Sequence, residues 1–257
     1  MPYRVRRDGG VRSLEAGVDR AGSPVVVVPG LGVLGHLVDT LVASGDRARS
    51  FLLDVPGFGH RPPRPCAPEV GAVADAVEGW LDLVLGDERV VLAGHSTGAQ
   101  AALRVAARRP DRVGALVLMG PTFPPEQRRL PGLVRGCLAD LCHEPPVLLP
   151  VAAPYYARGG VRGLSRFVRS AQRDEPEQVI RDVRCPTLLV RGERDAFAPR
   201  SWLDRLAAAA PDARQVVVPG AHVFQFRRGR LTADLIGEAA RRAGLVPGEA
   251  THPDRPA

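Results

Sequence analysis

Short apolar runs at 25–28, 50–53, 90–93, 115–119, 187–190 and 215–218 alternate with stretches of helical periodicity, and no other feature restricts the chain as much. Runs of four or five residues rich in valine and leucine, with no polar face to leave in water, fit strands buried on both sides. Such strands need helices over both faces of the sheet they form. The expected fold class is therefore α/β, a doubly wound and mostly parallel sheet. Helical periodicity is clearest over 69–85, where Val70, Val73, Ala74, Val77, Trp80, Leu81 and Val84 recur at three- and four-residue steps. Further helices are expected near 36–43 and over 99–108, 201–209 and 231–242. The run at 25–28 is taken as the first buried strand.

Between 121 and 186 the alternation stops. Leu130, Leu133, Val134, Cys137, Leu138 and Leu141 form one apolar stripe, and Val161, Leu164, Phe167 and Val168 form another. Prolines at 145, 146, 150 and 154 punctuate the segment, which predicts several short helices. An insertion after a central strand sits over the carboxyl edge of the sheet, where open α/β folds bind ligands. The expected organisation is a core of residues 1–120 and 184–243, a helical lid over 121–183, and a proline-rich, disordered tail over 244–257.

The formal charge of +7 raises the question of an anionic partner. Every basic residue other than histidine is arginine, lysine and asparagine are absent, and isoleucine occurs only at 180 and 236, a bias that fits GC-rich coding. The arginines are interspersed with acids rather than gathered in a run, which argues for a generally basic surface and against nucleic-acid binding. Cys66, Cys137, Cys142 and Cys185 have no C-x-x-C spacing, so neither a metal nor a cofactor is expected. The start MPYRVRRDGG lacks a signal-peptide apolar region, and no run approaches membrane-spanning length. A cytoplasmic protein with reduced thiols and no membrane partner is the expectation. Nothing in the sequence sets the oligomeric state.

The chemistry centres on Gly94-His95-Ser96-Thr97-Gly98, which has the form G-x-S-x-G between VVLA and AQAALRVAARR. That is the strand-to-helix context a nucleophile elbow requires, with glycines where side chains would collide with neighbouring backbone. A serine hydroxyl needs a base, and neutral imidazole suits the task. Of six histidines, His95 is expected to point away from its neighbour Ser96, His143 lies in the insertion and His252 in the tail. His36 and His60 occupy loops on the expected active side. Only His222 follows a late strand in a glycine-containing loop, and it is the predicted base. Asp54 reads as a turn-capping residue.

At these residues the chain resembles the α/β-hydrolase superfamily, from about residue 25 to 242. PGLG after the first strand is similar to the family's oxyanion loop, DVPGFG to its D-x-P-G-x-G turn, RGERDAFAP to the segment bearing the acid, and PGAHVF to the loop bearing the histidine. The resemblance implies a triad of Ser96, Asp195 and His222. Glu193 is a nearby rival, although the family spacing favours Asp195. The alternative acid position one strand earlier reads MGPTFPP and holds no carboxylate. An oxyanion hole would comprise the backbone N–H groups of Thr97 and Leu31, each such donor contributing on the order of 3 kcal/mol. Pro29-Gly30 replaces the family's common His-Gly pair there, without removing the donor.

Pocket candidates are Leu31, His36, Phe123, Tyr155, Tyr156, Phe167, Phe197 and Val223, which favour an apolar small-molecule substrate. The expected reaction is cleavage of an ester, lactone or thioester through an acyl-serine, with activity falling as His222 protonates at about 6 to 7, the ordinary histidine range. Carbon–carbon bond hydrolysis by the same triad is the alternative, although similar enzymes of that type often carry tryptophan where this chain has Val223. A ligand-binding member of the fold without catalysis is the third reading.

Overall fold

The computed structural model describes residues 2–245. They build one eight-stranded sheet. In chain order the strands are β1 (Arg4–Asp8), β2 (Val11–Ala16), β3 (Val25–Val28), β4 (Ser50–Asp54), β5 (Val90–His95), β6 (Val113–Met119), β7 (Thr187–Gly192) and β8 (Ala213–Val218). Their spatial order is β1-β2-β4-β3-β5-β6-β7-β8. From β4 to β8 all pairings are parallel, while β1, β2 and β4 pair antiparallel. This is the α/β-hydrolase fold.

The β1–β2 hairpin was not foreseen. Its outer strand, RVRRD, is largely exposed and carries no apolar face. Its signal was instead the Gly9-Gly10 turn, at φ 57 and 86, a conformation that hairpin turns demand. Buried Glu15 of β2 ties the hairpin down by accepting hydrogen bonds from Arg4 at 2.6 Å and Arg49 at 2.8 Å.

Alternation of side chains along each strand divides the core into two layers. Val26, Val28, Phe51, Leu53 and Leu92 face α2 (Val70–Leu85) and α3 (Thr97–Arg108). Val25, Val27, Leu52, Val91 and Ala93 face the opposite way, toward α1 (Val38–Gly45) and α8 (Gly229–Arg242). The predicted stripe of α2 is buried from Val70 to Leu81, and Trp80 meets Phe51 edge-on at 4.9 Å between ring centroids. α8 ends on Gly244 at φ 69: the Leu245 N–H reaches the Ala240 carbonyl and the Gly244 N–H reaches that of Arg241, a Schellman closure. Gly244 and Leu245 thus belong to the helix cap, and the remainder of the expected disordered tail lies outside the described residues.

Chain reversal at the centre of the sheet positions the site. β3 is flanked by β4 on one side and β5 on the other, so the loops leaving the carboxyl ends of β3 and β5 diverge to opposite faces and leave a crevice. Above it, between β6 and β7, lie α4 (Leu130–Leu141), α5 (Leu148–Arg173) and the single turn α6 (Pro176–Val179); α7 (Arg200–Ala209) follows β7. α5 is longer than the short helices expected, but it breaks at Gly160, whose φ 66 and ψ 161 are not helical.

α4 splits the expected stripe. Its inward positions are Leu133, Gly136, Cys137 and Asp140, while Leu130, Val134, Leu138 and Leu141 are exposed.

Because Phe51 is wholly buried against Trp80, Phe51→Ala should lower the unfolding free energy by about 3–5 kcal/mol. Urea denaturation should show a lower midpoint with an unchanged slope; a loss below about 1 kcal/mol would mean that the layer repacks.

Candidate active site

Ser96 occupies the turn between β5 and α3 at φ 57, ψ −124, a region that non-glycine residues avoid at a cost of about 1–3 kcal/mol. Backbone bonds hold it there: its N–H donates to the Met119 carbonyl at 2.9 Å, and its carbonyl accepts from the Ala99 N–H at 3.0 Å. The turn also needs a bare Cα at Gly98, where a Cβ would stand 2.5 Å from the Val28 carbonyl oxygen. The tight approach lets α3 start directly against the end of β3, with the Thr97 N–H in the first turn, where helical N–H groups have no partner within the helix.

Asp195 follows β7 and is fully buried. Its Oδ1 accepts hydrogen bonds from the N–H groups of Phe197 and Ala198, each at 2.9 Å. His222 follows β8, and its Nδ1 lies 3.1 Å from both carboxylate oxygens of Asp195. Gly120 makes room for this pair, since a Cβ there would lie 2.9 Å from both Asp195 Oδ2 and His222 Nδ1. Ser96 and His222 line one cavity of about 300 Å³. No hydrogen bond joins the Ser96 hydroxyl to His222 among the described residues, a contact that catalytic sites often close only around substrate. The rival Glu193 is half exposed and pairs with Arg194.

Burial alone would lower the pKa of His222, but the Asp195 carboxylate, with Asp140 and Glu144 from the helical segment, raises it to about 9. The expected midpoint of about 6 to 7 is therefore corrected: it assumed an unperturbed imidazole. The other two histidines at the cavity move the opposite way. Burial, then the proximity of His222, holds His36 down at about 4 and His95 well below the ordinary histidine value, so both are neutral at pH 7.

His95 does not point away from the site, as adjacency to Ser96 had suggested. Its Nε2 lies 3.1 Å from the His222 carbonyl, and the two rings are 4.9 Å apart. His60 is drawn instead to buried Asp54, which also accepts the Gly59 N–H and so caps its own turn. The Leu31 N–H is engaged: it donates to Thr97 Oγ1 at 2.9 Å, with Leu31 at φ 44.

Of the pocket candidates, Leu31, His36, Phe123, Tyr156, Phe197 and Val223 line the cavity. Tyr155 and Phe167 do not. Phe167, itself a residue of α5, is fully buried in the core layer that the helix covers, and Tyr155 packs beside Gly35. An apolar stripe names a helix's buried face without saying whether a cavity or the core lies beneath. Leu133, Cys137 and Asp140 also line the cavity and were not singled out as site residues: Leu133 and Cys137 belong to the predicted apolar stripe, which does not say that a cavity lies beneath it, and Asp140 carries no apolar signal. Among the described residues no cluster could hold a metal ion, and no helix is long and apolar enough to cross a membrane.

Residues 23–136 match the family model of the alpha/beta hydrolase fold. Over 205 residues the chain is 29% identical to a pimeloyl-[acyl-carrier protein] methyl ester esterase of Aromatoleum aromaticum, covering 66% of this chain and 78% of that protein. A shorter stretch of 84 residues is 42% identical to a 2-hydroxy-6-oxononadienedioate/2-hydroxy-6-oxononatrienedioate hydrolase of Pseudomonas putida, covering 32% of this chain and 28% of the relative. Among solved structures, the enol-lactonase of Burkholderia xenovorans superposes with a TM-score of 0.72 at 18% identity, covering 93% of this chain and 100% of the other. That likeness concerns the fold.

Asp195→Asn removes the charge that opposes burial at His222. Histidine NMR titration should show the imidazole midpoint falling from about 9 by more than about one unit; an unmoved midpoint would assign the shift to other groups.

Proposed function

We propose that this chain is an α/β-hydrolase that cleaves a carboxylic ester, lactone or thioester through an acyl-Ser96 intermediate. One observation carries the reading: a serine in the strained elbow shares a cavity with an imidazole whose Nδ1 is held by a buried carboxylate. Ser96 Oγ attacks the carbonyl while His222 Nε2 takes its proton. Asp195 holds the Nδ1–H tautomer and stabilises the imidazolium that forms. His222 then returns the proton to the leaving oxygen or sulfur, and water repeats the sequence to free the acid.

The oxyanion is held by the Thr97 N–H and by that of Leu31. In the resting arrangement Thr97 Oγ1 occupies the Leu31 donor. Rotation of the Thr97 side chain, or sharing of that donor, completes the hole. Phe123, Phe197 and Leu133 give the cavity apolar walls suited to an acyl chain. The helices between β6 and β7 act as a lid, contributing the wall that carries Leu133 and Cys137.

A second reading, carbon–carbon bond hydrolysis, is favoured by the local match to the Pseudomonas putida hydrolase. The substrates in that hydrolase's name are dicarboxylates, and among the described residues no arginine lines the cavity to receive them. We therefore place ester, lactone or thioester cleavage first.

A fluorophosphonate probe should label the wild-type chain at Ser96 and leave Ser96→Ala unlabelled, as read by peptide mass spectrometry. Absence of labelling in both would leave a ligand-binding role. With p-nitrophenyl esters of increasing acyl length, kcat/KM should rise with pH as His222 loses its proton, with a midpoint near about 9. A flat profile between about pH 6 and 10 would remove His222 as the base.

A further inference from the structure

We propose that Asp140 sets the acyl specificity of this cavity, admitting uncharged acyl groups or those bearing a hydrogen-bond donor and excluding those that end in a carboxylate. The inference rests on the reading of Ser96 as nucleophile and goes beyond it to the class of substrate.

α4 supplies the first observation. A helix with five leucines or valines at its disposal would ordinarily bury them, yet this one exposes Leu130, Val134, Leu138 and Leu141 and directs Asp140 inward. Asp140 is only 5% exposed. Burial of a carboxylate without an ion-pair partner is costly, and its support is backbone N–H alone: that of Ala196 stands at 3.5 Å, and that of His222 also faces it. No salt bridge involves it among the described residues. Burial raises its pKa, partly offset by the nearby His222.

Charge balance within the cavity is the second observation. Among the described residues neither arginine nor lysine lines it. His36 and His95 are neutral, and the charge of protonated His222 is matched by Asp195. When His222 is neutral, the form that can accept the Ser96 proton, Asp195 and Asp140 remain with no cation among the lining residues. Outside the cavity lining, Glu144 accepts the Val223 N–H at 2.5 Å and adds a further carboxylate that acts on His222. A substrate carboxylate brought into this space meets like charge at low dielectric, whereas a hydroxyl or ammonium finds an acceptor.

Three p-nitrophenyl ethyl alkylphosphonates test this without knowledge of the natural substrate, since each phosphorus is attacked by the nucleophile with loss of p-nitrophenolate. Their six-carbon chains end in methyl, carboxylate or trimethylammonium. For the wild type, the second-order rate of Ser96 modification should be at least about tenfold higher for the methyl than for the carboxylate probe, with the ammonium probe no slower than the methyl. In Asp140→Asn the methyl-to-carboxylate ratio should shrink to within about threefold. A residue that merely anchors α4 would change all three rates alike and leave the ratio untouched, which would overturn the inference. If Asp140→Asn fails to fold, the wild-type order decides: a carboxylate probe as fast as the methyl probe overturns it. Absence of modification by all three probes would overturn the nucleophile assignment itself, an outcome distinct from a ratio near one.

Discussion

The bond between His222 Nδ1 and the carboxylate of Asp195 is the interaction around which the active edge of the molecule is arranged. An imidazole buried at this depth would lose its proton readily, because burial penalises the charged form. Asp195 reverses that tendency, and it can do so only because its own charge is held by the N–H groups of Phe197 and Ala198. Those amides are aimed at the carboxylate by the turn that follows β7. The pair therefore depends on the register of two neighbouring parallel strands, β7 and β8, whose carboxyl ends release the two loops side by side.

The same edge of the sheet sets Ser96. Its backbone conformation is unfavourable in isolation and persists because the preceding strand and the following helix fix the residues on either side. Strain at the turn is supported by packing elsewhere: β5 is buried throughout, and α3 lies on the layer that contains Phe51 and Trp80. The elbow, the acid loop and the histidine loop come from three strand ends of one rigid sheet. A site assembled in this way is preorganised by the core rather than by contacts within the site itself.

Asp140 shows the opposite relation between core and site. Only part of the apolar pattern of α4 turns inward, as Leu133 and Cys137 beside Gly136 and Asp140, whereas Leu130, Val134, Leu138 and Leu141 are exposed. Local stability is sacrificed over the cavity, as is common where a wall must recognise a ligand. Electrostatically the helical segment and the His222–Asp195 pair are one system, because Asp140 and Glu144 both help to hold the proton on His222.

Much of this was legible in the residues. Continuous apolar runs announce buried strands regardless of context, and α2 announces itself by its spacing, because both patterns follow from the number of faces an element must hide. Ser96, Asp195 and His222 could be nominated from local strings and their order. The edge hairpin could not be read from apolarity, since β1 is polar on both faces and depends on its pairing with β2. Neither could the direction of α4, the place of His95 under His222, or the retreat of Phe167 and Tyr155 from the cavity. The amino-acid sequence by itself determined which segments become the buried strands and the helices that cover them, and where a hydroxyl, an imidazole and a carboxylate stand in the chain, because those properties are local. Only the tertiary structure decided which charges share a cavity, which face of α4 looks inward and what protonation His222 carries, because each of these depends on distances between residues far apart in the chain and on the water excluded from between them.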